Sequence, residues 1–181
     1  MPRRKPITAS ELMKQLSKDS EYLARVAERD RKLAEAAAEY AEEDDLIARE
    51  AKALGYAISS VWDFINNTSH PILPRPFVGP YDRAYPLLLR HLRVPHHRKV
   101  REGIIRALTV RDGGPKVSAA LLREFVSETD PLLKWVLSNA LRIAMPLRER
   151  RKHPEIAACF KRALNPEDYG VPTAGRSDNR D

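Results

Sequence analysis

Apolar positions in the second half of the chain follow a pattern that repeats after 33 residues. Residues 88–110 align with residues 121–143 without a gap. Each copy contains two apolar-periodic stretches of helical length on either side of a polar turn. A two-helix unit recurring at this period predicts an α-solenoid, because one unit cannot bury its apolar face alone. The matching apolar pairs include Leu88 and Leu121, Leu92 and Phe125, Val100 and Leu133, Ile104 and Leu137, and Leu108 and Leu141.

A different pattern occupies residues 19–54, where no Pro or Gly interrupts a run of good helix formers. Asp19 can cap the start of a long amphipathic helix, and Gly55 is a natural end. A thin apolar stripe recurs every seven residues at Val26, Leu33, Tyr40, Ile47 and Leu54. We expect an arm whose C-terminal half packs on the body of the protein. The alternative is a docking helix for a partner, or self-association through residues 20–54.

The rest of the chain divides into shorter segments. Thr8 and Glu11 fit a capping box that starts a short helix. Residues 58–65 read as another short helix, which is dense in large apolar side chains. Extended backbone is expected around prolines 71, 74, 76, 80 and 86. The predicted segments are a basic tail and short helix over 1–18, the long helix over 19–54, a short helix and Pro-rich linker over 55–80, two-helix repeats over 81–164, and a flexible tail over 165–181.

The repeat resembles a known family. Leu-Leu-Arg-x-Leu, a turn, and Val-Arg-x-Gly-Ile-x-Arg-Ala-Leu resemble a short HEAT repeat over residues 81–145, and the likeness extends loosely to 153–164. Residues 7–14 and 60–66 also resemble small bacterial proteins that place a long helix before HEAT-like repeats. The resemblance implies an all-α fold, a short HEAT-like solenoid of about two to three helix pairs after a long helix. It implies a scaffold for protein or nucleic acid, and it implies no reaction.

Charge is concentrated in the middle of the chain. The whole chain has a formal charge of +7, while residues 55–154 carry 17 Lys and Arg against 8 Asp and Glu. A field of this sign favours an acidic partner, either an acidic protein or a nucleic acid bound without sequence preference through residues 90–152. The candidate contacts to phosphate or to an acidic partner are Arg90, Arg93, Arg98, Lys99, Arg101, Arg148, Arg150, Arg151 and Lys152.

A helical wheel assigns a binding face to the second helix of each repeat unit. In the first unit, Glu102, Ile105 and Arg106 point away from the predicted core. In the second unit the residues that do so are Trp135, Ser138, Asn139 and Arg142. Trp and Arg are the residue types most enriched at binding hot spots. The alternative is that Trp135 packs inside the protein. The predicted partner-binding residues on the concave face are Trp135, Asn139, Arg142, Arg106 and Glu102.

The sequence offers little support for catalysis. It holds no HExxH, CxxC or His-Glu metal motif, so we expect no metal and no cofactor. Cys159, the single cysteine, lies on an apolar helical face and is expected to be a core thiol in a reducing cytoplasm. We find neither a membrane-length apolar run nor a secretory signal pattern. We therefore expect a non-catalytic, cytoplasmic scaffold or adaptor that binds another protein.

Overall fold

The computed structural model describes residues 7–65 and 78–162, and all regular structure in these two stretches is helical. The predicted all-α class is confirmed for this part of the chain. The predicted flexible tail 165–181 and prolines 71, 74 and 76 lie outside it. The helices are α1 (Ala9–Leu16), α2 (Ser20–Ala38), α3 (Ala41–Ala53), α4 (Tyr85–Leu92), α5 (Arg98–Ala107), α6 (Gly114–Ser127), α7 (Pro131–Ala144), α8 (Leu147–Arg150) and α9 (Pro154–Lys161), with 3-10 turns at Val61–Phe64 and Asp82–Ala84. None of the described helices is both long and apolar enough to cross a membrane.

The chain divides into two compact units, Met1–Ala41 and Glu42–Asp181. The first unit contains α1 and α2. Thr8 and Glu11 form the predicted capping box, in which the Glu11 carboxylate accepts from the Thr8 backbone N–H at 2.9 Å. Asp19 caps α2 by accepting from the Tyr22 backbone N–H at 3.0 Å. No described residue of this unit is buried, so ion pairs along the α2 surface add only modest stability.

The segment 19–54, predicted as one long helix, is two helices. The break lies at Glu39 and Tyr40, where the Tyr40 N–H bonds the carbonyl of Ala37 at 3.2 Å, three residues back. This tighter turn ends α2, and α3 begins at the next residue. No Pro or Gly lies at the break, so the residue pattern did not predict it. Unlike α2, helix α3 buries one face, with Asp44, Ile47, Ala48 and Ala51.

The two copies of the repeat are two helix pairs. Helices α4 and α5 form the first pair, α6 and α7 the second, and α5 also packs on α7. In the sequence, Asp130 followed by Pro131 is a start signal for a helix, and Asp130 does cap α7, accepting from the Leu133 backbone N–H at 2.9 Å. Pro86 departs from the predicted extended backbone and lies in the first turn of α4, where its missing N–H has no helical partner to lose. All five matching apolar pairs of the repeat are buried.

The 3-10 turn Val61–Phe64 packs on a face of α5 that the helical wheel predicts to be exposed. Gly103 is the point of closest approach, because a Cβ there would lie 2.5 Å from Cγ1 of Val61. Ser60 caps the turn by a capping box with Asp63. The short helix predicted over 58–65 is therefore a single turn used for packing. Helix α5 is covered by this turn on one side and by α7 on another.

Two histidines and two glutamates join α3 to the first helix pair. His91 Nε2 and His96 Nδ1 lie 2.8 Å from the carboxylates of Glu50 and Glu43. The two rings also approach each other, with His91 Nδ1 and His96 Nε2 3.1 Å apart, and the tautomers of the two rings decide which nitrogen donates in each of these contacts. The His91 bond is the largest cause that lowers the pKa of Glu50. Burial raises the pKa of Glu43, but bonds from the His97 backbone and from His96 outweigh it, and that pKa is also lowered.

Candidate partner-binding cleft

The predicted anchors Trp135 and Arg142 both contact Phe160 of α9. They stand seven residues, or about two turns, apart on α7 and so share one side of that helix. The Trp135 indole N–H donates to the Phe160 carbonyl oxygen at 3.1 Å, and the two rings stack with centroids 5.4 Å apart. The Arg142 Cζ lies 3.6 Å from the Phe160 ring centroid. Trp135 is half-buried, so much of the predicted hot spot holds α9 in place instead of facing a partner.

A cleft of about 420 Å³ opens beside this stack, between the end of α7 and α9. Its floor is apolar and its rim is basic. The volume lies within the range of small-ligand pockets, so the cleft can take a few side chains of a peptide segment. The lining residues are Arg142, Leu147, Arg150, Arg151, His153, Pro154, Ala157, Phe160 and Lys161.

The rim carries more positive charge than the nearby carboxylates neutralise. Glu149 bonds Lys152 at 2.7 Å, and this hydrogen bond is the largest cause of its lowered pKa. Apart from Arg150, which donates to the Arg142 carbonyl, three rim cations have no such partner: within residues 7–65 and 78–162, no carboxylate lies within 4.0 Å of the charged nitrogens of Arg142, Arg151 or Lys161. An arginine held flat on an aromatic ring keeps its N–H edge free for a carboxylate or phosphate.

The structure corrects the predicted face of the first repeat unit. Glu102 and Ile105 were expected to point outward, yet both are buried, because the Val61–Phe64 turn packs on α5. The Glu102 carboxylate pairs with Arg106 at 2.8 Å and Lys99 at 3.4 Å. Glu102 is therefore unavailable as a partner contact, and Arg106 is already engaged. On α7, Asn139 is half-buried, and Ser138, which was also expected to point outward, is buried and donates to the Trp135 carbonyl oxygen at 2.7 Å.

The basic candidates form two clusters, the first with Arg90, Arg93, Arg98, Lys99 and Arg101 and the second with Arg148, Arg150, Arg151 and Lys152. Most of the first basic cluster forms ion pairs within the fold. Arg101 reaches Glu124 at 2.8 Å and Glu128 at 3.2 Å, both on the second helix pair or its turn. Further ion pairs link Arg98 to Asp130 at 2.8 Å and Arg90 to Glu50. Because these cations are neutralised within the fold, they contribute less to a phosphate-binding surface than the sequence predicted.

Arg93 differs from the rest of that cluster. It lines a groove of about 460 Å³ beside α4 and α6, together with Lys116 and Arg123. None of these three cations has a carboxylate within 4.0 Å in the part of the chain that the structure describes. Of the second cluster, Arg148 is exposed, Arg150 donates to the Arg142 carbonyl, and Lys152 pairs with Glu149.

Five residues that line the cleft are not among the predicted binding residues: Leu147, Pro154, Ala157, Phe160 and Lys161. The sequence contains part of the signal, since the HEAT-like resemblance extends loosely to residues 153–164 as the first helix of a further unit. Comparison of the chain with protein-family models, curated proteins and solved structures gives no match. Across the described stretches, no group of three or more His, Cys, Asp or Glu side chains is placed to hold a metal ion.

Proposed function

We propose that this chain is a non-catalytic, HEAT-like scaffold that binds an acidic protein partner in the α7–α9 cleft. The observation that carries the proposal is the set of rim cations without carboxylate partners, Arg142, Arg151 and Lys161, above an apolar floor. A segment with acidic and apolar side chains fits both features. Electrostatic complementarity would steer the partner, and the apolar floor would bury part of it.

The solenoid part of the proposal rests on the helix pairs. Helices α5 and α7 begin 33 residues apart, at Arg98 and Pro131, and equivalent apolar positions in the two pairs are buried alike. Helix α9 packs on α7 as the first helix of a further unit would. HEAT-like proteins use such surfaces for binding, and we infer the same use here. The lone cysteine agrees with a cytoplasmic location, which we also propose.

Affinity capture from native lysate with the tagged full chain tests this function. Nuclease treatment removes partners held through nucleic acid. We expect the wild type and an Arg148→Gln control to retain a protein partner that a combined Arg142→Gln, Arg151→Gln variant loses. Arg148 is exposed and does not line the cleft, so Arg148→Gln removes a positive charge from the same region without touching the site. Retention of every captured protein by the combined variant would contradict the proposal.

A second candidate function is sequence-independent nucleic-acid binding. The groove of Arg93, Lys116 and Arg123 favours it, because three cations converge there without a carboxylate partner. Such binding weakens steeply with salt, and each lost phosphate contact lowers the salt slope by about one. A salt titration of duplex DNA binding by the wild type and by Arg123→Gln separates this function from the first. A duplex affinity that is flat with salt would exclude it.

A further inference from the structure

The cleft has a complementary surface on the same chain, at the start of α3. Glu42, Asp45 and Leu46 stand at i, i+3 and i+4, so they share one face of the helix. All three are exposed, and Leu46, an apolar residue, has 41% of its surface in solvent. No Lys, Arg or His nitrogen of the described residues lies within 4.0 Å of either carboxylate. The face thus offers two carboxylates beside an apolar side chain.

The two surfaces match in charge. Residues 39–50 carry six carboxylates and one arginine, a net of −5, whereas residues 142–162 carry seven Lys and Arg and two Glu, a net of +5. The positive charges that do lie on α3 beside the acidic face, Arg49 and Lys52, follow it toward the C-terminal end of the helix. The acidic first turn of α3 is therefore the part of the helix that matches the basic cleft, and Arg49 lies beyond the matching part.

The two surfaces lie on helices that contact different helix pairs. Helix α3 bonds the first pair through Glu43 and Glu50, while α9 packs on α7 of the second pair. A contact between such non-identical patches is heterologous, and it joins copies head to tail. We propose that the acidic partner of the cleft is a second copy of this chain, which inserts its Glu42–Leu46 face into the cleft. This proposal rests on the proposed function of the cleft. Leu46 then lies on Phe160 and Leu147, and Glu42 and Asp45 reach Arg142 and Arg151.

Charge reversal tests the contact through the oligomeric state of the full chain. By sedimentation velocity at low salt, the wild type should associate with rising concentration and dissociate when salt is raised to about 300 mM, where exposed charges are screened. Asp45→Arg and Arg151→Glu should each weaken self-association at least about tenfold, as like-charge contacts do. Two matched controls, Glu21→Arg on α2 and Arg148→Glu outside the cleft, should associate as the wild type does.

Mixing the two reversed variants adds a result that misfolding cannot imitate. In an equal mixture of Asp45→Arg and Arg151→Glu, the face of each variant meets a cleft of opposite charge on the other, so the mixture should associate although neither variant does so alone. A chain with both changes should regain self-association, because the reversed surfaces again have opposite charge. A wild type that stays monomeric, or an Arg148→Glu variant that dissociates as Arg151→Glu does, overturns the proposal.

The failure of this inference is distinguishable from failure of the proposed function. The probe is a synthetic Glu-rich peptide with one leucine, titrated into the wild type and into Arg151→Glu. A monomeric wild type that binds the peptide, with binding lost in Arg151→Glu, overturns self-association and leaves the cleft as an acidic-peptide site. A monomeric wild type that does not bind the peptide overturns both.

Discussion

Replacing Arg101 tests whether the first basic cluster is structural. Its guanidinium bonds Glu124, Glu128 and the Leu92 carbonyl, and only 17% of the side chain is exposed. Breaking a buried ion pair by removing one partner costs about 3–5 kcal/mol. Because roughly a sixth of this site is solvated, we expect Arg101→Gln to lower the free energy of unfolding by about 2–3 kcal/mol.

The assay is thermal unfolding followed by circular dichroism at 222 nm, at neutral pH and low salt. For a chain of this length that loss corresponds to a melting temperature about 5–10 °C lower. The melting temperature of Arg101→Lys should lie between those of the wild type and Arg101→Gln, because an ammonium group lacks the forked geometry with which a guanidinium bonds two carboxylates. Arg148→Gln, an exposed control, should change the stability by less than about 0.5 kcal/mol. If Arg101→Gln has the same melting temperature as the wild type but binds DNA more weakly, Arg101 is a phosphate contact and its structural role is refuted.

Three other perturbations test separate parts of the structure. Gly103→Val should destabilise the fold by about 1–3 kcal/mol in chemical denaturation, because its side chain overlaps Val61, whereas the exposed Ala119→Val should not. Trp135→Ala should lower the free energy of unfolding by about 2 kcal/mol and loosen α9 from α7, because it removes the indole that contacts Phe160. Amide hydrogen exchange over residues 154–161 should then be faster, and unchanged exchange there would show that the indole does not hold α9. The lowered pKa values of Glu43 and Glu50 mean that their contribution to stability is full above their usual value of 4.5 and is lost as pH falls through the lower folded pKa. As the pH falls through that acid range, the melting temperature should therefore decrease less in Glu50→Gln than in the wild type. An equal decrease in both proteins would contradict a stabilising role for the Glu50 carboxylate.

The parts of the fold that follow from local pattern were predictable. The apolar spacing and the Asp130-Pro131 start signal located α7, and the 33-residue repeat located the two helix pairs. The break at Tyr40 was not predictable, because its neighbours are good helix formers and only the hydrogen bonding shows the turn.

The site was harder to predict than the fold, because its properties depend on distant contacts. Glu102 lies on the polar side of a helical wheel, and only the packing of the Val61–Phe64 turn buries it. The arginines looked alike in sequence, yet Arg101 finds carboxylates more than 20 residues away and Arg151 finds none among the described residues. Local charge density therefore included residues of the cleft but did not separate cations paired within the fold from cations without a carboxylate partner.

The most direct test of the central claim is a pair of equilibrium titrations at one salt concentration. A labelled Glu-rich peptide with one leucine and a labelled DNA duplex are each titrated with the wild type, with Arg142→Gln combined with Arg151→Gln, and with Arg93→Gln combined with Arg123→Gln. The account predicts that the cleft substitutions weaken peptide binding at least about tenfold and that the groove substitutions leave it unchanged. Peptide binding that is indifferent to the cleft substitutions, or a duplex that binds the wild type while the peptide does not, would contradict it.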